Sequence, residues 1–137
     1  MPSFVHRLTT PKSIIGVNVV VATLRLPAGQ YIVTAKGSLT ASNTPLQEVC
    51  EARLVVGTQQ DSVIRKLFGP GEADQHQEIH LVVGAKLATA TDAQLICTMA
   101  AGRGFAQAVV ITANLVETLT TSEAVGDPPP PPPPDTD

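Results

Sequence analysis

The stretch LRLPAGQYIVTAKGSL, residues 24–39, decides the fold. After its Pro-Ala-Gly corner, Tyr31, Val33, Ala35, Gly37 and Leu39 fall on one face of an extended chain. Ile32, Thr34, Lys36 and Ser38 fall on the other, and this period of two is that of a strand with one buried face. Pro27 fixes its own φ and has no donor for a central ladder. Gly29 tolerates the positive φ that a tight corner often requires. The stretch therefore reads as strand, corner, strand: a piece of a wall with no catalyst in it.

The same alternation extends in both directions. GVNVVVATLRL, residues 16–26, is a valine-rich run bounded by Gly16 and Pro27. EVCEARLVVG turns Cys50, Ala52, Leu54 and Val56 inward, with Glu51 and Arg53 outward. DSVIRKLF follows after a polar turn. HQEIHLVVG sets Gln77, Ile79, Leu81 and Val83 against His76, Glu78 and His80. DAQLICTMA sets Leu95, Cys97 and Met99 against Gln94, Ile96 and Thr98. FAQAVVITANLVETL groups Phe105, Val109, Ile111, Ala113 and Leu115, and its Val-Val-Ile-Thr cluster favours strand over the helix that its alanines allow. With the short AKLAT these make about eight strands, the spacing of an all-β protein: a two-sheet antiparallel β-sandwich of jelly-roll type.

The 137 residues suit one domain, large enough to build a core without metal or disulfide. Residues 1–13 are polar and mixed and read as a flexible or docking arm. Residues 14–120 carry all the periodic apolar signal. Residues 121–137 end in GDPPPPPPPDTD, a disordered proline-rich tail whose seven prolines favour a polyproline II rod. Its two uses are a ligand for an aromatic-lined groove or a solubilising end, and its Asp, Thr and Gly companions favour the second.

Charged residues make up 15% of the chain, well below the usual quarter. So little charge leaves outer faces that favour burial against other subunits. Glu123, Asp127, Asp135 and Asp137 hold much of the net charge of −3, so the rest is close to neutral. No Lys/Arg run forms a patch and aromatic residues are 3%, which speaks against nucleic-acid binding. No apolar run reaches the length of a membrane span. MPSFVHRLTTPKS has none long enough for a signal peptide, so synthesis in the cytoplasm is expected.

Few constellations carry chemistry. Cys50 and Cys97 sit mid-strand on apolar-facing positions. If their strands face each other, a disulfide staples the sandwich, worth about 2–4 kcal/mol; the alternative is two buried thiols packing as small hydrophobes. HQEIH projects His76, Glu78 and His80 from one strand face, about 7 Å between successive members. Two imidazoles and a carboxylate suit zinc. The spacing is not the helical His-Glu-x-x-His of zinc peptidases, and a solvent-facing polar strand is the preferred reading. AAGRGF, residues 100–105, reads as a turn with Arg103 at its tip, a contact loop alongside Ser42–Leu46 and Phe68–Gln75. No Gly-x-Ser-x-Gly or Gly-x-x-x-x-Gly-Lys-Ser/Thr pattern is present, and no catalytic residue or cofactor is assigned.

LRLPAGQYIVTAKGSL, VCEARLVVG, LICTMA and VVITANLVETL together resemble small bacterial and bacteriophage β-sandwich modules, similar to the tumour-necrosis-factor and complement globular-head jelly rolls. The likeness spans residues 15–119, without the aromatic-rich core of the animal members. It implies threefold trimers at the tips of fibres or stalks. The expected function is then a non-enzymatic structural or adhesion module, a homotrimer on a phage particle or bacterial appendage, with a protein or glycan ligand at its loops and release in a virion or other extracellular assembly. Two alternatives are a metal-dependent, cupin-like enzyme using His76, Glu78 and His80, and an adaptor that recruits a partner through the proline tail.

Overall fold

The computed structural model describes residues 3–43, 47–68 and 76–120, and they are all β and turn. The strands are β1 (Ser3–Arg7), β2 (Lys12–Leu26), β3 (Gly29–Asn43), β4 (Gln47–Val56), β5 (Gln59–Phe68), β6 (His76–Leu87) and β7 (Thr91–Leu115). Every ladder is antiparallel. The expectation of about eight strands is met by seven continuous elements. AKL belongs to β6, and β7 runs through two of the expected strands in one piece. The proline tail and most of the loops 42–46 and 68–75 lie outside the described residues.

β7 is the spine. On one side it carries β1 against residues 110–114 and β2 against residues 91–106. On the other, β4 flanks its first half and β3 its second. The path β5-β4-β7-β3-β6 then curls until its two ends, β5 and β6, lie side by side and the sheet is nearly closed. Residues 3–7, expected in an arm, form a strand instead, because the alternating Phe4, His6 and Leu8 give it an inward side. Phe4 meets Tyr31 edge-on, with ring centroids 6.0 Å apart.

The inward faces are those the alternation marks. Tyr31, Val33, Ala35 and Leu39 of β3, Cys50, Ala52, Leu54 and Val56 of β4, Ile79, Leu81 and Val83 of β6, and Leu95, Cys97 and Met99 of β7 are all buried. Each large aliphatic side chain so buried stabilises by about 1.5–3 kcal/mol. The Pro27–Gly29 corner is locked by Tyr31, whose hydroxyl donates to the Pro27 carbonyl at 2.8 Å. Gly29 has the positive φ expected of the corner, at 155°, and space is short there as well: a Cβ would lie 2.7 Å from Leu115 Cδ1. Gly57, at φ 61°, opens the two-residue hairpin between β4 and β5.

Two expectations in β7 are corrected. AAGRGF makes no turn. The strand continues through it, and the β2 ladder jumps from Gly16–Met99 to Ile15–Arg103, so residues 100–102 form an enlarged bulge. The glycine signal is one of close approach: at Gly104 a Cβ would run into the Thr40 carbonyl and the Met99 sulfur. Further on, Phe105 does not share the face of Val109. Ala106 is the buried residue, and Ala108, at φ 54°, adds the extra residue that reverses the parity before Val109, Ile111 and Ala113.

Candidate functional site

Cys50 and Cys97 are brought together, but not across a sandwich. Their strands are neighbours in one sheet. Cys50 stands opposite Met99 and Cys97 opposite Ala52, so the two sulfurs are diagonal neighbours. Diagonal positions lie about 7–8 Å apart, with Cβ atoms somewhat closer, whereas a disulfide needs Cβ atoms about 3.5–4.5 Å apart. Both are buried thiols. Burial, with Cys50 alongside, pushes the Cys97 thiol from 9.0 up to about 12. A thiol so protonated is no nucleophile at neutral pH.

His76, Glu78 and His80 are exposed on β6, as expected, and each stands opposite a different residue of β3. His76 Nδ1 shares a 2.8 Å hydrogen bond with Oγ1 of Thr40, a buried hydroxyl. Glu78 stands opposite Ser38, and His80 opposite Lys36. A lysine beside an imidazole repels a cation, and among the described residues no three His, Cys, Asp or Glu side chains gather as metal ligands. Arg103 is exposed as expected, but in the β7 ladder, opposite Ile15 and Asn43, rather than on a loop tip.

The structure singles out three other places. The first is the border between β5 and β6. No backbone ladder joins these strands among the described residues. Two side chains do so instead: Asp61 Oδ2 accepts from the Val82 amide at 3.0 Å, and Arg65 Nε donates to the Glu78 carbonyl at 3.3 Å. Both sit at inward-phase positions of β5, in step with Val63 and Leu67.

The second is the free side of β2. Among the described residues this strand pairs only with β7, and its other side is open. Ile15, Val17 and Val20 on it are 60%, 64% and 42% exposed. The strand is bent by Gly16 at φ 92° and Asn18 at φ 55°. The bend is held in place: the Asn18 amide donates to Thr98 Oγ1 at 2.9 Å, and Arg53 donates to Asn18 Oδ1 at 2.8 Å. Arg53 is itself paired with Glu51 at 3.2 Å.

The third is the clasp on the segment after β7. The Gln30 carbonyl accepts from the Val116 amide, its side-chain oxygen accepts from the Leu119 amide, and its side-chain nitrogen donates to the Glu117 carbonyl. Leu119 is thereby laid against Gly84, beside a cavity of about 310 Å³ that Val56, Leu87 and Thr91 also line.

Compared with known proteins, the chain matches no family model and no curated protein at a significant level.

Proposed function

We propose that the chain is a non-enzymatic structural or adhesive module that works as an assembly of its own copies, with the free side of β2 as the self-contact. One observation carries this reading: Ile15, Val17 and Val20 lie exposed along a strand that, among the described residues, pairs on one side only. An edge strand that presents apolar side chains and unpaired backbone groups invites another chain. The low charge of the whole sequence supports the same reading. A threefold arrangement, and a place on a phage particle or bacterial appendage, are what the resemblance to jelly-roll modules adds.

The nearly closed sheet reads further as two layers. We propose that β5-β4-β7-β2 forms one and β6-β3-β7-β1 the other, as a two-sheet, jelly-roll-like sandwich requires; the register shifts of β7 against β2 and β3 between residues 99 and 110 support this reading. Sedimentation of the chain over a wide concentration range tests the assembly. A mass of three chains that falls to one in Val17→Lys supports it. A wild-type chain that stays monomeric throughout overturns it.

A further inference from the structure

The outer face of β1, β7, β3 and β6 carries a row of side chains in register: Arg7, Val110, Lys36 and His80. Arg7, Lys36 and His80 are exposed. At the β6 end of the row lies a shallow basin of about 490 Å³, where Arg65 arrives from β5. Among the described residues the ion pairs are Arg25–Asp92 and Arg53–Glu51, so neither Lys36 nor Arg65 has a carboxylate within ion-pair distance. The Arg65 guanidinium is held in place all the same, because its Nε is tied to the Glu78 carbonyl.

The other lining groups narrow what fits. Ser38 supplies a hydroxyl and Glu78 a carboxylate. Gly37 leaves bare backbone there, at a point where β3 and β7 crowd: a Cβ would come within 2.8 Å of Val109. Cations attract an anion. A carboxylate among them repels a doubly charged one but accepts hydrogen bonds from hydroxyls. The ligand that satisfies both is singly charged and rich in hydroxyls.

We propose that this basin binds acidic sugars, with Lys36 and Arg65 facing the sugar carboxylate and Glu78 and Ser38 its hydroxyls. The inference goes beyond self-assembly and stands apart from it, because a single chain carries the whole basin and β2 lies on the other side of the β7 spine.

The test is a chemical-shift titration of the full chain with sodium glucuronate, glucose and inorganic phosphate in parallel. Glucuronate is expected to shift the amides of Ser38, Glu78 and His80 saturably, with glucose far weaker. Lys36→Gln, an exposed change that spares the fold, weakens glucuronate about tenfold or more, the loss of one charge-assisted hydrogen bond. Glu78→Gln strengthens phosphate more than glucuronate, narrowing the preference between them. Equal response to glucose overturns the proposal, as does phosphate preferred by the unaltered chain. Equal shifts around Lys12, Lys66 and Lys86, which indicate non-specific charge attraction, overturn it too.

Discussion

The rolled sheet has two borders, and they are treated in opposite ways. At the first, β5 and β6 meet, and Asp61 and Arg65 reach across to the backbone of β6. At the second, β2 faces outward with Ile15, Val17 and Val20 exposed. Charges at inward-phase positions of an edge strand are a known guard against edge-to-edge pairing. Here the same charges also do the work of ladder hydrogen bonds, satisfying an amide and a carbonyl that would otherwise be unpaired. Between Ile14 and Leu24, β2 carries no charged residue, and among the described residues its guard there is the bend at Gly16 and Asn18, pinned by Thr98 and Arg53. One border is finished within the chain; the other, on the reading proposed above, is left for a second molecule.

The contrast can be broken or sharpened by substitution. The largest effect lies on the spine that both borders hang from. Leu95→Asp buries an unpaired charge between β2 and β4 and is expected to cost on the order of 4–5 kcal/mol, enough to abolish cooperative unfolding in a denaturant titration. A chain that still melts cooperatively would show the spine to be less well packed than its complete burial indicates.

Alkaline pH probes the wall between the borders. The Cys97 thiol is raised to about 12 in the folded state against 9.0 when unfolded. Its contribution is intact below pH 9 and declines as pH climbs from 9 towards 12, at about 1.4 kcal/mol per pH unit. Cys97→Ala should show a shallower loss than the unaltered chain across that window in urea melts. Equal slopes would place the thiol in contact with water.

Smaller again is the finished border. Asp61→Ala leaves the solvent-accessible Val82 amide without its acceptor and is expected to cost about 0.5–1.5 kcal/mol. Hydrogen exchange at Val82 should accelerate selectively. Because the change strips a guard from β5, it should also raise the tendency to associate. Protection left intact at Val82 would show that β5 and β6 are held together by packing alone.

The least effect on stability belongs to the open border. Val17→Lys adds charge to an exposed position and should alter unfolding by less than about 0.5 kcal/mol. Its effect should fall on assembly instead. A variant that associates as the unaltered chain does would remove β2 from the contact.

Much of the wall was legible because each residue of a strand declares its own side. Cys50 to Val56, Ile79 to Val83 and Leu95 to Met99 are all oriented as their alternation requires. The reading slips where one residue is added without a mark. Ala108 has no turn chemistry, yet its positive φ reverses the parity and puts Phe105 out of phase with Val109. Gly102 and Gly104 had the opposite effect: they look like a turn, but Gly104 answers a need for space under Thr40.

The candidate sites were harder still. His76, Glu78 and His80 are visible because one strand carries them, while the partners that decide their chemistry, Thr40, Ser38 and Lys36, come from β3 through a register no local pattern records. Asp61 and Arg65 look like ordinary charges until β6 lies beside them. The cysteines were correctly placed on inward faces. Their diagonal offset, which rules out a bridge in this arrangement, is again a matter of register between β4 and β7.

Among the described strands, the spine is also the last to be made. β1, β2, β3 and β4 all pair with β7, and of the described ladders the β4–β5 hairpin and the β3–β6 ladder alone can form before it emerges from the ribosome. Most of the architecture therefore waits, strand by strand, for residues 91–115. Growing chains would share a long interval of exposed, sticky intermediates, a setting in which a nascent-chain chaperone has something to hold and in which neighbours on one polysome can meet before either is complete.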